Sequence, residues 1–277
     1  SDNNFAFKKS RLKVNLAYQN NLRQEFGNAE DPKEKELFFD LKTINYTLQW
    51  QLPEAKEWHT TLGTNGMRQS NQNKGEEALI PEYNLFDIGG FVFVQRSFKK
   101  ATVSGGLRYD TRKINSKELI EGGDVKFEKF SRSFSNFSGS AGVSVEASDA
   151  ITLKANIARG FRSPTLAELA SNGAHEGTNR YEYGQQDLKS ETSLQFDAGL
   201  NFNYEHFSID INAFYNSIND FIFYRKLEAF GGGDSLVLND GDLIQAFKFN
   251  QQDAKLAGFE ASIDIHPHPL DWLHFEN

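Results

Sequence analysis

Residues 193–204 read SLQFDAGLNFNY, and the parity of this stretch decides the fold. Leu194, Phe196, Ala198, Leu200, Phe202 and Tyr204 hold the even positions; Ser193, Gln195, Asp197, Gly199, Asn201 and Asn203 hold the odd ones. Side chains of a β-strand point alternately to its two faces, so this strand has one greasy face and one wet face. The next stretch repeats the pattern, with Phe207, Ile209, Ile211, Ala213 and Tyr215 set against Ser208, Asp210, Asn212 and Asn216. Only a turn around Glu205 separates the two, which makes them a hairpin.

Working outward, the same alternation places strands at about 5–20, 37–52, 58–64, 84–97, 101–112, 132–146, 150–162, 190–204, 206–221 and 247–266, with an eleventh opening near Trp272. The connections fall into two classes that alternate along the chain. Long polar loops run over 21–36, 65–83, 113–131, 163–189 and 222–246, and tight turns lie near Pro53–Glu57, Phe98–Lys100, Ala147–Asp149, Glu205 and Pro267–Leu270. Long loops on one side and short turns on the other are the layout of an outer-membrane barrel, whose short turns face the periplasm. The expected fold is all-β: an antiparallel up-and-down meander of 10–11 strands forming part of a transmembrane β-barrel. Two stretches break the alternation. In 37–52 the apolar parity switches between Leu41 and Ile44, which predicts a β-bulge near Thr43. Over Phe91–Val94 both faces are apolar, so the inner face there is expected to meet something other than water.

Composition excludes several classes. No apolar run reaches the roughly 20 residues of a membrane-spanning helix, yet a barrel needs none, because its inner face is polar and its average hydropathy resembles that of a soluble protein. Aromatic residues are plentiful, with 25 Phe, 9 Tyr and 3 Trp, as the interfacial girdles of barrels require. The absence of Cys rules out disulfides, thiolate metal sites and a cysteine nucleophile. A net charge of -8 with no basic stripe argues against a nucleic-acid partner. No signal peptide opens the sequence.

Four stretches follow in order from residue 155: Ala155–Leu169 (ANIARGFRSPTLAEL), Asp187–Thr192 (DLKSET), Asp210–Phe221 (DINAFYNSINDF) and Asn250–Glu260 (NQQDAKLAGFE). In this order and spacing they resemble TonB-dependent outer-membrane receptors, with Ser190 where the family has Pro. Upstream, Gly105–Asp110 (GGLRYD) resembles the family's Gly-x-Arg-Tyr-Asp strand, and Ile80-Pro81 with Phe86–Phe93 resembles the preceding loop and strand of receptors of the Bacteroidetes type. The resemblance implies a barrel of about 22 strands around an N-terminal plug domain. Residues 1–277 show neither a plug nor a coupling box, so they are expected to be one partial barrel domain of a longer receptor.

Arg159, Arg162 and Pro164 sit where a strand hands over to the longest loop, and are expected to shape the strand end and its polar rim. The loop itself offers His175, Glu176, Arg180, Tyr181, Glu182 and Tyr183. Arg and aromatic side chains on a loop can hold a ligand by charge and stacking, so His175, Arg180, Tyr181 and Tyr183 are the candidate ligand contacts. The six histidines are scattered, with His266 and His268 in a Pro-rich turn, and no metal site or bound cofactor is expected. Carboxylate pairs such as Glu168 with Glu176, or Asp234 with Asp240, lie on loops and read as solvated charge rather than a hydrolytic pair, so no catalytic residue is assigned. Arg108, Asp110, Lys154, Asp197, Asp210, Glu260 and Asp264 are expected to face the lumen.

The resulting expectation is a Gram-negative outer-membrane transporter, without enzymatic activity, importing a scarce bulky nutrient such as a ferric siderophore. The resemblance implies as partners the imported ligand, outer-membrane lipid, and an inner-membrane energy-coupling complex that acts through the plug. Two other readings remain open from the residues: a passive porin, and a soluble extracellular adhesin or carbohydrate-binding β-protein.

Overall fold

The structure is a computed structural model that describes residues 1–26, 31, 33–175, 178–239, 241–265 and 275–276. The chain begins with strand β1 (Asp2–Ala6), followed by β2 (Arg11–Glu25), β3 (Leu37–Gln51), β4 (Trp58–Asn73), β5 (Tyr83–Ser97) and β6 (Ala101–Ser116). A small hairpin, β7 (Leu119–Glu121) and β8 (Asp124–Phe127), precedes β9 (Ser131–Glu146) and β10 (Ile151–Arg162). Helix α1 (Leu166–Ala170), β11 (Asn172–His175) and β12 (Arg180–Tyr183) fill the next connection before β13 (Glu191–Tyr204) and β14 (Phe207–Lys226). Strands β15 (Leu236–Asn239), β16 (Asp242–Ile265) and β17 (Phe275–Glu276) complete the order. The wall runs β1-β2-β3-β4-β5-β6-β9-β10-β13-β14-β16, each strand antiparallel to its neighbour; among the described residues β1 pairs only with β2, and the far edge of β16 is covered only at its ends, by β12 and β17.

Register puts the expected faces where parity placed them. Leu200 pairs with Ile211, Phe202 with Ile209 and Tyr204 with Phe207, so the two greasy faces of this hairpin are one surface. Leu153 and Ile157 of β10 extend it through their pairing with Leu200 and Phe196. The apolar face continues over Leu107, Tyr109 and Phe137, which are exposed, and the last two rings lie 4.7 Å apart. Among the described residues the second sheet is only the β7–β8 hairpin, so no sheet covers this face as a sandwich would. A contiguous apolar surface of this extent far exceeds what a water-facing wall carries.

The expected lumen-facing set shares the opposite, polar face. Arg112 forms a fork with Asp87 through two 2.8 Å bonds, and Arg108 pairs with Asp110. Asp197 accepts from Asn156 and Gln195, and Asp210 from Asn201. Gly66 fits a close approach on the apolar side: a Cβ there would lie 2.0 Å from the Asp87 carbonyl oxygen, where the Tyr46 hydroxyl already donates at 2.6 Å.

Three expectations need correction. The strand predicted at 5–20 is two strands, because Phe7 N–H bonds Ser10 C=O and closes a turn over Lys8 and Lys9. Phe5 therefore faces Leu12 across a hairpin, and the parity switch between them marked that turn. The bulge expected near Thr43 is absent: β2-β3 and β3-β4 pair without a slip through that residue. The switch instead reports a change of surroundings, since Leu41 packs inward against the apolar cluster at the loop end while Ile44 and Leu48 face outward and are exposed. A register shift does occur between Ile218 and Phe221, where Asp220 adopts φ 55°. Finally, strands run farther into the loops than predicted; β4 reaches Asn73 rather than 64, and β14 reaches Lys226 rather than 221. The turn at Pro267–Leu270 and the strand start near Trp272 lie outside the described residues, although Phe275 and Glu276 already pair with β16.

Among the described residues, the apolar core lies at the loop end. Tyr83, Leu85, Ile114, Phe134, Leu166, Leu169, Leu188 and Ile222 form it, and they come from strands and loops together. The β7–β8 turn that stands over this end uses Gly122 and Gly123 at φ 61° and 97°, a left-handed pair that glycine adopts without strain.

Candidate functional site

The described residues of the longest connection, 163–175 and 178–190, are built rather than loose. Thr165 caps α1: its hydroxyl accepts from Glu168 N–H, and the Glu168 carboxylate in turn accepts from Thr165 N–H at 2.7 Å. Arg162 at the end of β10 ties this cap to the wall. Its Nε and Nη2 fork onto Glu191 at 2.8 and 2.7 Å, and Nη1 donates to both Glu168 oxygens at 2.8 Å. The Ile222 N–H adds a 2.5 Å bond to Glu191. Burial pushes the Glu191 carboxyl up, but the Arg162 fork and that N–H outweigh it and hold the group below the ordinary glutamate range. The expectation of a shaping role for Arg162 and Pro164 is met, with Pro164 fully buried. Arg159 points elsewhere and donates to the Phe137 carbonyl.

Beyond the helix, β11 and β12 pair antiparallel, and β12 adds in parallel to β16 along 245–248. This hairpin reaches across the mouth. Asn172 N–H bonds the Leu79 carbonyl, and His175 comes to Arg23 and Glu25 at the end of β2, at 3.4 and 3.9 Å. The far side of the wall is thus brought back to its beginning at the loop end.

The four candidate contacts divide between two faces of this hairpin. His175 and Arg180 are direct cross-strand partners. His175 Nδ1 lies 3.1 Å from Glu182 Oε1, and Arg180 Nε lies 3.6 Å from Glu182. The Arg180 guanidinium rests 4.7 Å from the Tyr224 ring centre and 5.5 Å from that of Phe247. Tyr181 and Tyr183 alternate to the other face, their rings 4.9 Å apart. The Tyr181 hydroxyl donates to Asn172 at 3.1 Å, and its burial raises its pKa above the ordinary tyrosine value. Tyr183 lines a recess of about 270 Å³ with Lys126, Phe127 and Leu169. One small ligand can therefore meet the His175–Arg180 pair or the tyrosine pair, not all four on a single surface. Glu176 and Asp240 lie outside the described residues.

Sequence reasoning missed Arg23, Glu25, Tyr224 and Phe247 as members of this cluster. Arg23 and His175 are separated by 152 residues, and no local pattern announces such a meeting. Deeper on the inner face, a recess of about 400 Å³ is lined by Asn45, Met67, Asp87, Arg108, Asp110 and Arg112, among others. No group of three or more His, Asp or Glu side chains able to hold a metal ion is present among the described residues.

Residues 1–275 match the family model described as TonB dependent receptor-like, beta-barrel. The chain belongs to the TonB-dependent receptor family. That family consists of receptors and transporters of the Gram-negative outer membrane. Among its relatives, the ferrienterobactin receptor of Escherichia coli (strain K12) is 26% identical over 181 residues, which is 61% of this chain and 24% of that receptor. Transferrin-binding protein A of Haemophilus influenzae is 29% identical over 160 residues, covering 58% of this chain and 16% of that protein. This member of the TonB-dependent receptor family thus spans about a quarter or less of these relatives' lengths. The structure superposes on the copper transporter OprC with a TM-score of 0.71 at 16% identity, covering 94% of this chain and 41% of that one. It superposes on the ferric yersiniabactin uptake receptor FyuA of Yersinia pestis with a TM-score of 0.57 at 11% identity, covering 96% and 39%.

Proposed function

We propose that the chain is part of the barrel wall and mouth of an outer-membrane active transporter for a scarce, bulky nutrient, a ferric siderophore or a similar metal chelate. The observation that carries this reading is the family match over residues 1–275, joined to the wall's apolar outer face and ion-paired inner face. The outer face meets lipid and the inner face meets water or a plug supplied by another part of the protein. Ligand is held at the loop end, by Arg180 with His175 or by Tyr181 with Tyr183, and transport draws on an inner-membrane energy-coupling complex. The wall does no covalent chemistry and uses no cofactor. A porin would need neither a built mouth nor energy, and here α1 and the β11–β12 hairpin are packed across the mouth.

The test is uptake of radiolabelled ferric chelates by cells carrying the full-length receptor, with and without a protonophore. Accumulation of at least one chelate against its gradient, abolished by the protonophore, is expected. Uptake that is passive and indifferent to the protonophore would replace this reading with the porin.

A further inference from the structure

We propose that the outer face of the wall carries a binding site for the phosphate headgroup of an anionic phospholipid at its short-turn end, centred on Arg96. The inference rests on the outer-membrane reading above. Arg96 pairs across strands with Trp58, on the same face as Val94, Val92 and Leu62. This is the apolar side of the wall, where a guanidinium is tolerated only near the interface and with partners. Its place at the end of β5, one residue before the turn begins, sets it at headgroup height. The guanidinium is bracketed by two rings, 5.9 Å from the Trp58 centre and 4.7 Å from that of Phe98. Only Nη2 is used in its ion pair with Glu57, at 2.9 Å. Nε is buried without a hydrogen-bond partner.

Charge on the surrounding turns points the same way. Lys8 and Lys9 lie in the turn before β2, Lys56 before β4, and Lys99 and Lys100 before β6, all exposed. On these three turns Glu54 and Glu57 are the only carboxylates. The next two turns along the wall carry Asp149 and Glu205 and no lysine, so the positive charge belongs to one sector of the rim. A planar fork between aromatic rings, with ammonium groups on its own turn and the neighbouring turns of the same rim, matches a phosphodiester anion whose glycerol and acyl portions lie against the rings. The occupant is committed by position. A soluble anion has no reason to approach from the lipid side, whereas a periplasmic-leaflet phospholipid is always there.

The experiment uses the full-length receptor in neutral detergent, titrated with phosphatidylglycerol, phosphatidylcholine and inorganic phosphate, and read by native mass spectrometry for retained lipid. Phosphatidylglycerol is expected to bind on the order of tenfold more tightly than phosphatidylcholine, with inorganic phosphate unable to displace it. The R96Q/K99Q/K100Q variant should lose about fivefold in affinity for each cation removed, while D149N/E205Q on the other sector should bind as the parent does. If R96Q does not assemble, K99Q/K100Q reads the same preference from exposed turn positions. Equal binding of the two lipids, displacement by phosphate, or retained preference in the lysine variant overturns the site. A receptor that fails to insert into bilayers overturns the membrane reading as well, whereas one that inserts normally without lipid preference overturns this inference alone.

Discussion

Replacing Arg162 by Met isolates what holds the mouth to the wall. The substitution removes four charge-assisted hydrogen bonds and leaves two carboxylates, Glu191 at 11% and Glu168 at 13% side-chain exposure, without their cation. Removing one member of a fully buried pair costs about 3–5 kcal/mol, because the remaining charge stays desolvated. Arg162 itself is 40% exposed, so solvent screening cuts that figure by roughly half, to about 2 kcal/mol. The loss is local, since the bonds join α1 and the start of β13 to the end of β10 and leave the ladders of the wall intact. An opening equilibrium shifted by that amount changes about 30-fold. In hydrogen exchange on the folded full-length receptor, the amides of residues 165–171 and 188–192 should exchange about 30-fold faster. Amides in the middle of β13 and β14 should keep their rates. Adding Glu191→Gln and Glu168→Gln should restore part of the protection, because the stranded charges are gone. Unchanged protection of α1, or a loss spread evenly over the wall, would refute the idea that Arg162 anchors the mouth.

Other outcomes follow from the same geometry. Leu200→Arg sets a charge on the apolar face, partnered across by Ile211, at a cost of about 2–4 kcal/mol near mid-membrane; heat-modifiable migration should show impaired assembly, and normal folding counts against a lipid-facing wall. Arg180→Ala and the Tyr181→Ala/Tyr183→Ala pair lie on opposite faces of one hairpin, so only one of them should weaken chelate binding in the full receptor, and titration with unchanged affinity in both removes this hairpin from the site. Glu191 is held below its ordinary pKa, so the stability it contributes is complete above the ordinary glutamate value and is lost as pH falls below it. Exchange protection of the 188–192 amides should therefore be level from about pH 6 to 8 and fall below about pH 4. Gly66→Val drives a side chain into the Asp87 carbonyl and the Tyr46 hydroxyl, and folding yield should drop well below that of a Gly90→Ala control, whose Cβ would meet only the Gly63 carbonyl oxygen, at an ordinary 3.9 Å.

The wall was legible because an apolar face and a polar face imprint a period of two, as in Leu194–Tyr204. Where that contrast ends, the imprint ends too. Residues 65–73, NGMRQSNQN, continue β4 with both faces polar, so nothing in the sequence separates them from a loop although the hydrogen-bond ladder goes on. The turn at Lys8–Lys9 was readable from the parity change between Phe5 and Leu12, whereas the similar change at Thr43 reported inward packing instead of a bulge. At the mouth the sequence supplied the side chains but not their grouping. Splitting Arg180 from Tyr181 follows from strand parity once β12 is known to be a strand, but a four-residue strand inside a polar loop leaves no periodic trace. The meeting of His175 with Arg23, and of Arg180 with Tyr224, is set by how distant elements pack.

A strand such as β5 passes through two solvents. Low on the wall, Val92 and Val94 lie on the apolar outer face, and in the proposed membrane setting trimming such a side chain exchanges one apolar neighbour for a lipid chain that flows in to fill the space. At the top of the same strand, Leu85 is enclosed by Ile114, Phe134 and Leu166, and nothing fluid can fill the void it would leave, so truncation to Ala costs about 2–5 kcal/mol. Tolerance to mutation is therefore set by face and height along the strand together rather than by residue type or hydrophobicity. The mouth answers to the packing rules of a water-soluble core, and the belt below it answers only to polarity.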